Sequence, residues 1–167
     1  IEAVAKLVKT GRNIFLTIIG GAREIHAHER EEKSRILSAI KQSGISDRVR
    51  LLGYQPYDVF IRELYNHHIF ISPSVEASDG DSEGGAPVSI IEASASGMPV
   101  LSTTHCDIPE VVQNGTSGFL VPERDGDALA ERLEYLCNNP QLWGEMGRAG
   151  RKHVEQQYDI AKQVPQL

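Results

Sequence analysis

Short apolar runs rich in β-branched residues recur along this chain, each separated from the next by a longer amphipathic stretch. Ile14 to Ile19 is the first, and its continuous apolar character predicts a strand covered on both faces. Val49 to Leu52, Ile69 to Ile71, Pro99 to Ser102 and Phe119 to Val121 are four more. Between them the apolar positions fall at helical spacing. Ile1, Val4, Ala5 and Val8 predict a helix that stops at Gly11. A charged helix follows Gly20-Gly21, from about Arg23 to Ser43, with Ile36, Leu37 and Ile40 as its apolar stripe. Further helices are expected over Tyr57 to Asn66, Pro87 to Ser96, Ile108 to Gln113 and Asp125 to Cys137. Pro140 opens another through Trp143 and Met146, and a last one runs from Arg148 to Tyr158. Gly144, Gly147 and Gly150 recur every three residues there, which suits close helix packing or a break.

Strands alternating with helices imply an α/β fold, a Rossmann-like, doubly wound parallel sheet of five strands with helices on both faces. Ligands of such sheets bind outside the carboxyl ends of the strands. That rule selects four loops: Gly20-Gly21, Gly53-Tyr54, Ser72 to Pro87, and Ser102 to Cys106. The third is the richest. It is polar, closes with Glu83-Gly84-Gly85-Ala86-Pro87, and runs into a helix carrying one acid, Glu92. Gly84-Gly85-Ala86 has almost no side chain, so a ligand can approach the backbone. Pro87 suits the first helical turn. The N–H groups and positive dipole end of that helix can face a phosphate or a sugar hydroxyl.

Glu92 lies about 7.5 Å along the helix axis and leans back toward the mouth of the loop. Ile91, Ala93 and Ala95 beside it read as buried, so Glu92 either takes a ligand hydroxyl pair as partner or sits exposed. Glu83 either accepts hydrogen bonds from a sugar or is a solvated loop carboxylate. Asp79-Gly80-Asp81 invites Mg²⁺, but Asp-Gly is a favoured turn pair and nothing nearby adds further ligands, so no metal site is assigned. His26, His28, His67 and His68 have no zinc spacing with cysteine. His105 and Cys106 share a rim loop, yet no third orienting group is evident, which argues against a Cys–His nucleophile.

The net charge of −6 argues against a nucleic-acid partner. No apolar run approaches a transmembrane span. Two cysteines, Cys106 and Cys137, are too few for a disulfide framework, which points to a reducing, cytoplasmic compartment. Asn114-Gly115-Thr116 reads as a turn rather than a glycosylation site. The length of 167 residues suits a single domain. The chain starts inside a helical pattern without Met, so a fragment truncated at its N-terminus is expected.

Read together, Pro73-Ser74, the run from Glu83-Gly84-Gly85-Ala86-Pro87 through Glu92 to Gly97-Met98-Pro99, Asp47 to Tyr54, Ile108 to Pro122 and Asp127 to Leu133 resemble a known family. They look like the donor-binding half of family-four (group 1) retaining glycosyltransferases of the GT-B fold, in the form found in builders of bacterial surface polysaccharide. The resemblance covers nearly the whole chain. It implies transfer of a hexose from a UDP- or GDP-sugar to a glycan or lipid-linked acceptor, with no cofactor and no catalytic metal. It implies that Glu92 binds the ribose hydroxyls. Glu83, in the catalytic position, contacts sugar and diphosphate together with the Gly84-Gly85-Ala86-Pro87 backbone. Val88 lines the ribose or phosphate end, Gly53, Tyr54 and Gln55 face the base, and Ser74 joins the donor set.

Two departures accompany it. Eight residues separate Glu83 from Glu92, one more than the family's usual spacing, and the extra residue falls in the glycine run. The family's first, central strand, its cationic diphosphate clamp and its acceptor-binding domain are expected upstream of Ile1. Any peripheral membrane contact would belong to that half. Five strands should therefore show a gap, a rearranged pairing or an edge filled by a partner chain, and the isolated fragment should not catalyse transfer. A GT-B-fold nucleotide-sugar epimerase and a non-catalytic nucleotide-sugar binding module are the alternatives.

Overall fold

In the computed structural model the described residues are 1–21, 27–77, 80, 82 and 84–163. They divide into two compact units, Ile1–Glu63 and Leu64–Leu167. The five apolar runs all form strands and all pair in parallel, but in two sheets rather than one. Periodicity reports element type and burial; it does not say which strands pair.

The first unit begins with α1 (Glu2–Lys9), which buries Ala3, Val4, Ala5 and Leu7. The expected stripe is turned slightly, since Ile1 and Val8 are only half-buried. Gly11, at φ +86°, ends it in a left-handed conformation that glycine adopts freely. β1 (Leu16–Ile19) pairs with β2 (Val49–Gly53), Leu16 opposite Val49 and Ile18 opposite Leu51. β1 is half-buried at all four positions, not covered on both faces as its composition suggested. Among the described residues β2 is its one ladder partner. α2 (Ala27–Ser43) buries Ile40, but Ile36 and Leu37 are exposed, so its apolar stripe shrinks to one residue. Its expected start, from Arg23, lies outside the described residues. A 3-10 turn, Ser46–Arg48, leads into β2, and Arg48 stacks its guanidinium over the Phe15 ring. α3 (Tyr57–Tyr65) carries the boundary between the units.

The second unit is built on a three-stranded parallel sheet of β3 (Phe70–Ser72), β4 (Val100–Thr103) and β5 (Gly118–Val121), with β4 in the middle. β4 is buried throughout, as a strand flanked on both sides should be. Its register sets Ser72 opposite Ser102 and Thr103 opposite Val121, so the three carboxyl ends finish together. α4 (Val88–Ala95) and α5 (Ile108–Val111) pack together, and Ile90, Ala93, Ile108 and Val111 are wholly buried. α6 (Gly126–Asn138) is capped by Asp125, whose carboxylate accepts from the Ala128 N–H at 2.9 Å, and buries Ala130, Leu133 and Leu136. After a 3-10 turn at Pro140–Leu142, α7 runs unbroken from Trp143 to Gln157, followed by the short α8 (Ile160–Gln163).

The single α7 replaces the two helices expected there. Its glycines do not break it; they bring it close to α4. A Cβ at Gly147 would lie 1.9 Å from the Gly97 carbonyl oxygen, and one at Gly150 would lie 3.3 Å from the Ser117 Cβ. Ser94 and Ser117, the small residues facing Gly150, are buried. Gly118 does the same within the sheet, where a Cβ would meet the Val100 carbonyl at 1.9 Å. Each helical glycine costs about 1 kcal/mol in propensity, and close packing offsets that cost.

Gly147→Ala should therefore destabilise the full-length protein by about 1–3 kcal/mol, because Gly97 backbone has to move. Gly144→Ala, where the nearest atom is the flexible Arg148 guanidinium at 3.4 Å, should be neutral or stabilising by up to about 1 kcal/mol. Urea denaturation measures both, and equal midpoints for the two variants would refute the close-packing account.

Candidate functional site

The carboxyl ends of β3, β4 and β5 are tied together by hydrogen bonds from buried hydroxyls. Ser102 Oγ donates to the Ser72 carbonyl at 2.5 Å, and Thr103 Oγ1 donates to the Ser74 carbonyl. The Thr104 N–H donates to the Val121 carbonyl at 3.0 Å. Ser102 and Thr103 are essentially inaccessible, and buried hydroxyls must find partners. The rim then extends outward. Glu123 Oε2 accepts the Glu76 N–H at 2.9 Å, and Arg124 donates to the Glu76 carbonyl. Ser74, placed in the donor set, is thus a half-buried rim residue whose backbone anchors the β4 loop.

The glycine run leads from this rim into α4. Gly84 is exposed with φ +65°, a conformation that suits glycine. Gly85, Ala86 and Pro87 are half-buried. The nearest atom to a Cβ built at Gly85 is an Asp107 carboxylate oxygen 3.7 Å away, so the loop after β4 lies beside the glycine run. Pro87 is the residue before α4 rather than part of its first turn, and its carbonyl accepts the Ile90 N–H at 3.0 Å. No side chain caps α4 and no acid occupies its first turn. That end therefore keeps the partial positive charge that favours an anion. Val88, the first helical residue, is exposed. Glu92 is half-buried one turn in, between half-buried Ile91 and buried Ala93. Ala95, expected inside, is exposed, because its position turns it away from the sheet. Glu83, Asp79 and Asp81 lie outside the described residues.

In the first unit, Gly53 ends β2 with φ +66°, and its carbonyl accepts the Gly20 N–H at 2.9 Å. Gly21 runs alongside, so the Gly20-Gly21 and Gly53-Tyr54 loops meet at one rim of that unit. Gln55 turns its amide inward to donate to the Leu52 carbonyl at 2.5 Å, while Tyr54 is 69% exposed.

The loop after β5 was missing from the sequence expectations, and with it Glu123. Its Oε1 lies 2.7 Å from His105 Nδ1, and His105 Nε2 lies 3.2 Å from Cys106 Sγ. The absence of a third orienting group is thereby corrected: Glu123 is that group. The carboxyl-end rule, applied to the fifth strand as to the others, would have pointed to Val121-Pro122-Glu123. Of the remaining histidines, His68 packs against Trp143, with ring centroids 5.3 Å apart; His26 and the side chain of His28 are not described. No described helix is long and apolar enough to cross a membrane.

A family model described as Glycosyl transferases group 1 matches residues 1–153. The amylovoran biosynthesis glycosyltransferase AmsK of Erwinia amylovora is 35% identical over 159 residues, covering 95% of this chain and 37% of AmsK. The putative colanic acid biosynthesis glycosyltransferase WcaL of Escherichia coli is 41% identical over 166 residues, covering 98% of this chain and 38% of WcaL. The chain thus spans less than half the length of either relative. Among solved structures, Anabaena HepE in complex with UDP-glucose superposes with a TM-score of 0.78 at 20% identity, over 99% of this chain and 44% of HepE, a likeness of fold.

Glu123 is held below its ordinary value of 4.5, chiefly by the Glu76 backbone N–H and then by His105. A carboxylate with a lowered folded pKa adds stability that is complete above the unfolded value. That stability is lost as pH falls through the folded one. Below about pH 4.5 the wild type should thus lose stability more steeply than Glu123→Gln. Denaturation midpoints across that window test this, and parallel pH profiles would exclude the rim network as a source of acid sensitivity.

Proposed function

The chain belongs to the group 1 glycosyl transferases, and from that premise we propose that it is the donor-binding part of a retaining hexosyltransferase. In this reading a UDP- or GDP-hexose binds at the second unit's rim and the sugar passes to a glycan or lipid-linked acceptor. The observation that carries the reading is the Gly84–Pro87 backbone leading into the uncapped end of α4, with Glu92 one turn inside. N–H groups of a helix end suit a diphosphate. A carboxylate set back from that end suits the vicinal hydroxyls of a ribose, whose two O–H groups both donate to it. HepE, which shares this fold, has been crystallised in complex with UDP-glucose, and that supports a nucleotide-sugar ligand here.

Gly53, Tyr54 and Gln55 are assigned to the base, Val88 and Ser74 to the surroundings of the donor, and Glu83 to the transferring sugar. These assignments rest on the family resemblance. Acceptor binding and the cationic clamp for the leaving diphosphate are assigned to other parts of the full-length protein, so this chain alone does not turn over. A cytoplasmic location belongs to the same proposal, supported by a count of two cysteines, too few for a disulfide framework.

Two substitutions in the full-length enzyme test the site by calorimetric titration with UDP- and GDP-sugars. Glu92→Gln removes a charged acceptor and should weaken binding by about 1.5–3 kcal/mol, roughly ten- to a hundredfold; unchanged affinity would sink the ribose assignment. Gly85→Ala is the sharper probe. Among the described residues there is room for that methyl group, since the nearest atom is 3.7 Å away. The variant should keep wild-type stability and lose donor affinity by about tenfold or more. Wild-type affinity in Gly85→Ala would mean that no ligand approaches that backbone.

A further inference from the structure

His105, Cys106 and Glu123 form an array that the donor reading does not use. Their order is that of a nucleophile, a base and an orienter. Cys106 is an exposed residue, while the His105 side chain beside it is buried, only 3% accessible. Glu123 Oε1, 2.7 Å from Nδ1, accepts the proton of that nitrogen. This fixes the tautomer, so Nε2 presents its lone pair to Cys106 Sγ at 3.2 Å. Glu123 is itself fixed, through Oε2, by the Glu76 N–H and by the Arg124 guanidinium 3.5 Å away. The ring therefore cannot turn without breaking a second set of bonds. Cys106 adopts φ 43°, one of two described non-glycine residues with positive φ. Such backbone is rarely taken up unless the surroundings enforce it.

The geometry points to Cys106 as a modification site, a thiol activated by His105 and Glu123 that exchanges with low-molecular-weight disulfides. The proton of Sγ passes to Nε2, and the imidazolium so formed is stabilised by the Glu123 carboxylate. The thiolate attacks one sulfur of the small disulfide. A protein–ligand S–S bond forms as the ligand's own S–S bond breaks, and the departing thiolate takes the proton back from Nε2. The protein thiol is oxidised and half of the small disulfide is reduced to free thiol. Among the described residues, the charged groups bonded to the array or next to it in the chain are Glu123, Arg124 and Asp107. Asp107, next in the chain, opposes a thiolate. The imidazolium formed at His105 once Nε2 takes the proton, 3.2 Å from sulfur, favours the thiolate. Cys137, half-buried on α6, lies outside this array and serves as an internal reference.

The test uses the reduced full-length protein and 2-hydroxyethyl disulfide, a small neutral probe that Asp107 does not repel. Mass spectrometry follows the peptides carrying Cys106 and Cys137 across pH 6 to 9. Cys106 should react at least about tenfold faster than Cys137 at neutral pH. Glu123→Gln and His105→Asn should each slow Cys106 about tenfold or more and move its pH profile upward, while the Cys137 rate stays constant. A structural role alone would leave the pH profile in place. If one variant misfolds, its Cys137 rate rises and the other variant decides the matter. Equal Cys106 rates and profiles in wild type and a folded variant, or a Cys106 no faster than Cys137, would overturn the proposal.

Discussion

Two hydroxyls at the end of a buried strand set the position of everything around the rim. β4 is apolar through Leu101 and then turns polar at Ser102 and Thr103 without leaving the interior. A buried hydroxyl without a partner costs as much as a lost hydrogen bond, so each must reach a carbonyl. The carbonyls within reach belong to Ser72 and Ser74, at the end of β3 and just beyond it. The first loop residues after β3 are thereby held to β4, and the Thr104 N–H holds β4 to β5 in the same way. Parallel ladders alone would align the strands; the hydroxyls carry that alignment past the last ladder bond and into the loops of the proposed site.

A second constraint acts from behind. α4 presents its amino end to the proposed diphosphate, so its position decides whether those N–H groups point at anything. α4 is pressed against α7 through Gly97, Ser94, Gly147 and Gly150, where backbone meets backbone with no room for a Cβ at Gly147. Such contacts do not relax gradually, because packed interiors resist small displacements. The last long helix, some fifty residues after the glycine loop, therefore fixes the helix that carries Glu92. Proximity in sequence gives no hint of this coupling.

That coupling also explains what could and could not be read from the chain. The five apolar runs became five strands within a residue or two, because β-branched continuity is a local property. The three-residue glycine repeat was open to two readings, a break or a close contact, and only the partner surface decides between them. Its partner is Gly97, distant along the chain. The stripe of α2 failed for a related reason: Ile36 and Leu37 have the right spacing, yet spacing does not guarantee a surface to pack on. Glu123 was invisible beside His105 because they stand eighteen positions apart. It was legible all the same as an acid at the carboxyl end of a strand. The glycine loop before α4 was readable as a loop from its glycines and serines.

The charge at the rim adds a last argument about how a diphosphate could bind there. Asp107 places a carboxylate against Gly85, Glu123 lies on the same rim, and the whole chain carries −6. Arg124, the nearest cation to that acid, is engaged with Glu123 and the Glu76 carbonyl. The end of α4 contributes about half a positive charge, worth about 0.3–1 kcal/mol to an exposed anion. A nucleoside diphosphate carries two or more negative charges, so the helix end orients the donor but cannot neutralise it. In the proposed complex the helix end supplies direction, and the remaining charge of the diphosphate calls for cations besides it.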